Sequence, residues 1–494
     1  MHALALPTDA ASLDEVLAHH ARLQPEALAL VFEAQVWTYA AFHRRVAVLA
    51  EQLQRAHGVA PGDRVVWLGL NHPDILVLLF ALARLGAVLV PLNYRLAPAE
   101  WGAVCADCGP SLVVHDAAWA QAAQALAQGL HIPAWSAHGL VEEPADGRSR
   151  PSAPSPTNAP VLLVYTSGTT GAPKGAVHTQ GNLLANMRMA QQGQGMTSQD
   201  RVLTVLPLFH VGGLCLQTLP ALYAGAMVIL HARFDAATTL SSIANDLPTL
   251  TLQVPATMKA LLEHPDWAGT CLDSLRAVWA GSSTLPQDLV DAFHARSVPV
   301  CNVYGATETG PFSVALDERH AMTHPGSCGW PALGVTLKLI DAQAGVGELC
   351  LRASNVVRHY WPDIPAVDAE GWFHSGDLAR QASDGSWCIV GRAKDMIISG
   401  GENIYPAEIE GVLASHPDVA ECAIVGLPDA QWGEAVVAVL VLRTGHHLDV
   451  IALGDFLAAR LARYKLPRRY VVQAALPKTA LGKVQKAQLR QAIA

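Results

Sequence analysis

The sequence predicts an α/β fold: a large N-terminal region of parallel-rich sheets covered by helices, then a small α+β C-terminal region. Three observations carry this expectation. Apolar runs of strand length alternate with runs of helical length, as in "RVVWLGL", "PDILVLLFALARLG" and "AVLVPL", which read strand, helix, strand. The runs "VLLVYTS", "LRAVWAGS" and "VPVCNVYG" each end in Gly or Ser. Such strands belong in parallel sheets covered on both faces, with functional groups gathered at their carboxyl ends. Lastly, 494 residues exceed what one core supports, since chains divide into domains beyond ~250–300 residues.

Taken in chain order, the opening "MHALALPTDAASLDE" has no basic region before a long apolar core, so no secretory signal is expected. The segment "ILVLLFALARLGAVLVPL" is interrupted by Arg84 and Gly86. It reads as a buried helix and a buried strand, short of an integral membrane span of ~20 apolar residues. Val141 to Pro160 is rich in Pro, Ser and Ala and reads as a flexible connection. "TLPQDLVDAFHAR" is a helix candidate with Thr284 as N-cap and Pro286 in its first turn. After "GRAKDMIISGGENIYP" the pattern restarts as helix ("AEIEGVLASH"), strand ("ECAIVGL"), strand ("EAVVAVLVL") and helix ("VIALGDFLAARLARY"). That is enough for a second domain. A boundary near Lys394 gives regions 1–393 and 394–494.

The net charge of −9 argues against a nucleic-acid partner. The charge is uneven, however. From Ile451 to the end there are nine Lys and Arg against one acid, Asp455. Such a run is commonly a solvated face, and in an acidic protein it can also meet a polyanionic small molecule. The nine cysteines are scattered, which fits reduced thiols and a cytoplasmic location. Cys105 and Cys108 have CxxC spacing, but no second pair accompanies them as a zinc site requires.

The most informative stretch is "VYTSGTTGAPKGA", Val164 to Ala176. A glycine-rich loop after a strand can turn successive N–H groups toward one point and cradle phosphate. The Walker pattern fails here: Pro173 stands where its second glycine belongs, and Gly175 replaces the hydroxyl after the lysine. Instead, "YTSGTTGAPKGA" resembles the signature loop of the adenylate-forming superfamily, which holds acyl-CoA synthetases, adenylation domains and luciferases. The superfamily's further motifs follow in order: "VYGATET", "GWFHSGD", "GRAKDMIISGGENIYPAEIE" and "PKTALGKVQK". The resemblance is to acyl- or aryl-CoA ligases of the 4-chlorobenzoate, 4-coumarate and fatty-acid type. It implies a large nucleotide- and acid-binding domain and a small mobile one.

The resemblance also implies roles. Thr166, Ser167, Gly168, Thr169, Thr170, Gly171 and Lys174 would hold the β- and γ-phosphates of ATP. Gly281, Ser282, Ser283, Asn302, Val303, Tyr304 and Gly305 would surround the nucleotide, with Tyr304 against adenine and Asn302 at its amino group. Thr307 would meet the α-phosphate and Glu308 would bind Mg²⁺. Asp377 would take both ribose hydroxyls, with Arg392 beside it. Lys483 would bridge the carboxylate and the α-phosphate, and Lys394 would be the hinge on which the small domain turns. For coenzyme A, the matching positions are Arg84, Gly400, Gly401, Trp432 and Tyr464; Leu466 departs from the basic residue found there in the 4-chlorobenzoate enzyme.

The acid pocket would be lined by Leu208–Leu214, Trp279–Ser283 and Gly305–Pro311, with His210 as a gate. Malonate-type relatives carry an arginine just before the "YG" tyrosine. Val303 stands there, so a monocarboxylic acid, aromatic or medium-chain aliphatic, is expected. The expected activity is an acid–CoA ligase that uses ATP, Mg²⁺ and coenzyme A and releases AMP and pyrophosphate. Its other partner would be a second copy in a homodimer. Two alternatives stay open at this point: transfer of the acyl group to a carrier protein, and a non-catalytic nucleotide-binding protein of the same fold.

Overall fold

The computed structural model describes residues 5–137, 156–166, 173–281, 285–399, 402–429, 431–479 and 482–493. Two large sheets make up the N-terminal part. In one, the strands Leu28–Phe32, Met227–Leu230, Arg201–Thr204, Leu250–Gln253, Ala277–Gly281 and Val300–Tyr304 run parallel, with antiparallel strands at both edges. In the other, Pro160–Thr166, Val88–Pro91, Arg64–Leu68, Leu112–His115 and Ala134–Ser136 run parallel.

The helix Pro73–Leu85 shows why these layers stack. It is apolar on every side, so it can only sit in an interior, and its residues from Pro73 to Ala83 are buried within the core that both sheets share. Its ends are set locally. The His72 side chain accepts the Asp74 N–H, and Gly86 at φ 71° terminates the last turn. Because the helix runs back across the sheet, its first turn lies at the carboxyl edge of the strands and Arg84 at the amino edge.

A four-stranded antiparallel sheet follows (Thr336–Gln343, Val346–Arg352, Phe373–Gln381, Trp387–Arg392). The turn 393–395 then leads into a last sheet of five strands, which contains Val419–Asp429 and Gly433–Leu442. Helices Pro406–Ala414 and Val450–Ala458 pack on this sheet through Ile409, Leu413, Leu453 and Leu457.

The strands Pro160–Thr166 and Lys174–Thr179, on either side of the signature loop, pair antiparallel. Two expectations need correction. The helix expected from Thr284 spans Gln287–His294 with Pro286 as its N-cap, and Thr284 lies outside the described residues. The helix expected over Val450–Tyr464 stops at Ala458, where the Arg460 guanidinium donates to the Phe456 carbonyl at 3.0 Å; residues 463–465 form a separate short turn. Among the described residues, no helix is long and apolar enough to cross a membrane.

Candidate active site

The strand Val300–Tyr304 ends at Gly305, where any Cβ would collide with the Pro311 carbonyl. Glycine lets the chain double back tightly here, and a single helical turn, Thr307–Thr309, follows. The Thr309 hydroxyl accepts the Ala306 N–H at 2.9 Å and fixes this turn. Glu308 is thereby aimed at the end of the signature hairpin. Its Oε1 accepts the Tyr360 hydroxyl at 2.8 Å. Lys174 lies on the same tyrosine, its ammonium 5.5 Å from the ring centre, and the Thr166 hydroxyl donates to the Lys174 carbonyl at 3.4 Å. Ser167, Gly168, Thr169, Thr170, Gly171, Ser282, Ser283, Gly400 and Gly401 lie outside the described residues.

A second group gathers around Asp377. Its carboxylate accepts the Tyr304 hydroxyl at 2.7 Å and pairs with Arg392 at 2.5 Å. Arg392 is delivered by strand register, since it lies directly opposite Asp377 on the neighbouring strand. Asp377 is 6% exposed. Burial pushes its pKa above the usual carboxylate range, against the opposing pull of Arg392 and Tyr304. Asn302 spends its NH₂ on the Ser327 carbonyl at 3.0 Å, which leaves the amide oxygen as its acceptor. Gly281 and Val303 are neighbours in register, and a Cβ on Gly281 would lie 2.5 Å from the Val303 carbonyl.

Lys483 joins these groups from the far end of the chain. It sits in a tight turn closed by Thr479 and Lys483, whose backbones bond at 2.8 Å, with Gly482 at φ 81°. Water reaches the side chain, yet protein surrounds it closely enough that desolvation, then repulsion by Arg392, lowers its pKa below the ordinary lysine range. The carboxylates of Asp377 and Glu308 pull the other way. His210 lies in the same field. Burial, then Lys483, lowers its pKa to about 4, so it is neutral at pH 7. Its Nδ1 accepts the Gly212 N–H at 3.0 Å, which leaves the hydrogen on Nε2.

Not every expected residue is brought here. Arg84 is nearly buried at the amino edge of its sheet, with its guanidinium 3.7 Å from Asp14, while the signature hairpin and Lys483 lie at the carboxyl edge. Trp432 and Tyr464 are on the C-terminal part. Trp432 stacks under the Arg468 guanidinium at 4.0 Å, and Tyr464 is 42% exposed in the turn 463–465. Lys394 is exposed in the turn 393–395, beside Asp395, which Arg490 holds at 3.1 Å. Cys105 and Cys108 are buried in one helix, and desolvation pushes their thiols up to about 12 and about 11. Neither is a thiolate near neutral pH.

Two participants escaped the sequence reading. Tyr360 belongs to a two-residue strand that pairs with Ala176, and no local pattern marks it. Glu348 accepts the Gly376 N–H at 3.0 Å and so shapes the turn before Asp377. With Cys350 and His374 it brings three donor atoms within 4.8 Å of one another.

Comparison with known proteins gives the same outline. Residues 17–361 match the family model described as AMP-binding enzyme, and residues 408–483 match the AMP-binding enzyme C-terminal domain. The chain is 42% identical to an indoleacetate–CoA ligase of Aromatoleum aromaticum, with 98% of each chain covered. It is 40% identical to a feruloyl-CoA synthase of an Amycolatopsis species, over 95% of this chain and 97% of the other. Among solved structures, it is similar to the o-succinylbenzoate CoA synthetase of Bacillus subtilis in complex with its acyl-adenylate. That match has a TM-score of 0.88 at 33% identity and covers 96% and 97% of the two chains. The same synthetase in complex with ATP and magnesium gives a TM-score of 0.86.

Proposed function

This chain belongs to the AMP-binding enzyme family, and from that premise we propose that its acid substrate is an aromatic monocarboxylate. The enzyme is an ATP-dependent acid–CoA ligase that uses ATP, magnesium and coenzyme A. The carboxylate displaces pyrophosphate from the α-phosphorus of ATP, and the CoA thiol then displaces AMP from the acyl-adenylate. The aromatic assignment is supported by the two relatives of 42% and 40% identity, which are named for indoleacetate and ferulate, and by Val303, which supplies no charge for a second carboxylate.

The single observation that carries the residue assignments is the convergence of Lys483 with Glu308, Asp377, Arg392 and His210, contributed by both parts of the chain. Two anions must meet for the first step, and a positioned cation offsets their repulsion. Lys483 is that cation. Asp377 receives the ribose hydroxyls, a task for which a carboxylate's acceptors suit, and the exposed Arg392 turns toward the phosphate side as they arrive. Thr166, Lys174 and Thr307 position phosphate oxygens. Glu308 fits magnesium, because the Tyr360 hydroxyl holds one carboxylate oxygen and the other remains as a hard ligand for the ion. Magnesium bound there offsets phosphate charge. Neutral His210 closes the acid pocket, and rotation about Lys394 exchanges the Lys483 face for the CoA-binding face that carries Trp432 and Tyr464.

A panel of aromatic and aliphatic acids, assayed for AMP release with and without CoA, tests this. Sustained AMP release is expected only with CoA and an aromatic acid. Turnover that ignores CoA would remove the ligase reading, and preference for aliphatic acids would remove the aromatic one.

A further inference from the structure

Behind the loop that carries His210 lies a narrow cavity lined by Leu203, Thr204, Leu206, Gly213, Gln217 and Leu252. Its place in the fold matters. Leu252 is in register with Trp279, and Gly281 with Val303. Alternate residues of a strand share a face, so Leu252, Trp279, Gly281 and Val303 lie on one side of the sheet. The cavity is therefore on the same side as the residues expected around the acid.

Gln217 is the one side chain in this lining that has an unmet need. It is 2% exposed and belongs to a π-helical turn, Leu214–Thr218, a distortion frequent at functional sites. Its amide is oriented by a relay. Gln194 Nε2 donates to the Leu216 carbonyl at 2.6 Å, which makes Gln194 Oε1 an acceptor. Gln217 Nε2 donates to that oxygen at 2.9 Å. Gln217 Oε1 is left at the end of the relay, buried and without a donor. The neighbouring hydroxyls are committed: Thr218 donates to the Gly213 carbonyl at 2.7 Å, and Thr204 shares a 3.0 Å bond with Thr218. A buried amide oxygen without a donor is costly.

We propose that the acid carries an N–H or O–H donor at the far edge of its ring, and that Gln217 Oε1 accepts it. This rests on the acid–CoA ligase reading above. The cavity has room for about one water molecule. That is the size of a single donor group, with the body of the ring held nearer His210. A ring without the donor must leave the oxygen bare or strand a water there, so discrimination arises from the unpaired oxygen.

The test uses two pairs of near-isosteric acids that differ in one donor: indole-3-acetate with benzofuran-3-acetate, and 4-hydroxycinnamate with cinnamate. The readout is ATP–pyrophosphate exchange by the full chain. The parent should favour the donor-bearing member of at least one pair by about tenfold or more in kcat/KM. Gln217→Met, which keeps the volume and removes the acceptor, should erase that preference by lowering the donor-bearing member alone. A parent without preference in either pair overturns the proposal. So does a variant that lowers both members equally, because Gln217 then only holds water or packing. The parent's own ratio decides the matter even where the variant folds poorly. Exchange supported by aliphatic acids alone would overturn both this proposal and the aromatic assignment, and exchange with no acid at all would overturn the ligase reading itself.

Discussion

At the scale of the residue, Glu308 and Tyr360 show how a neighbour decides what a carboxylate can do. The tyrosine hydroxyl fixes one oxygen at 2.8 Å and leaves the other to face a cation. Glu308→Gln keeps the volume and removes the charge. Adenylation should fall on the order of 100-fold or more, with an unchanged unfolding midpoint. Pyrophosphate exchange measured across a magnesium titration checks this, and near-normal exchange at saturating magnesium would reject the metal assignment. For the acceptor, the geometry separates two residues that the sequence had grouped. Arg84→Ala should leave the Michaelis constant for CoA unchanged, because its guanidinium is spent near Asp14 at the opposite edge of the sheet. Trp432→Ala, which removes the plate under Arg468, should raise that constant several-fold, in line with stacking worth about 1 kcal/mol. Steady-state kinetics with CoA varied distinguishes the two.

At the scale of the element, the proposed mechanism rests most on the hairpin 160–166/174–179 and the turn 393–395. The hairpin was half legible. Its first strand follows from "VLLVY", but the direction of the second depends on pairing across the loop, which no local periodicity encodes. The turn is legible only as a composition break, and its position between two separate sheets suits it to the pivot proposed above. Lys394→Pro should fix φ there and hinder rotation. Acyl-adenylate should still form at close to the parent rate while thioester formation slows on the order of tenfold or more. Single-turnover measurement of the two half-reactions checks this, and equal slowing of both would count against a pivot at Lys394.

At the scale of the whole molecule, the active site exists only because residues more than a hundred positions apart meet. Lys483→Ala should lose adenylation by about 100- to 1000-fold, yet convert a pre-made acyl-adenylate and CoA to thioester at close to the parent rate. Equal losses in both steps would sink the two-conformation mechanism. Stability should also respond to pH through the interior histidines. His20 and His178 are fully buried, and desolvation lowers both from 6.5 to about 4. In that interval the unfolded chain binds more protons than the folded one, so stability is complete above about pH 6.5 and falls as the pH drops toward 4. His20→Asn should flatten this slope in denaturant midpoints measured between pH 7.5 and 5. An unchanged slope would mean that His20 takes up its proton as readily in the folded protein as in the unfolded chain.

The fold class, the order of the motifs and the candidates Lys483, Glu308, Asp377 and Arg392 are all legible in one dimension. Glycines at strand ends, alternating apolar runs and a signature loop are local features, and local features survive in one dimension. Which of these groups touch is settled by packing in three dimensions. Tyr360 reaches Glu308 through a two-residue strand, Arg392 reaches Asp377 through antiparallel register, and Arg84 lies 3.7 Å from Asp14. Gln217 reads in the sequence as one more residue of an apolar helix. Its unmet oxygen appears only when the partners of Gln194, Thr204 and Thr218 are all known. Hydrogen-bond satisfaction is a property of the packed interior, where partners meet in three dimensions, and no stretch of sequence contains that information.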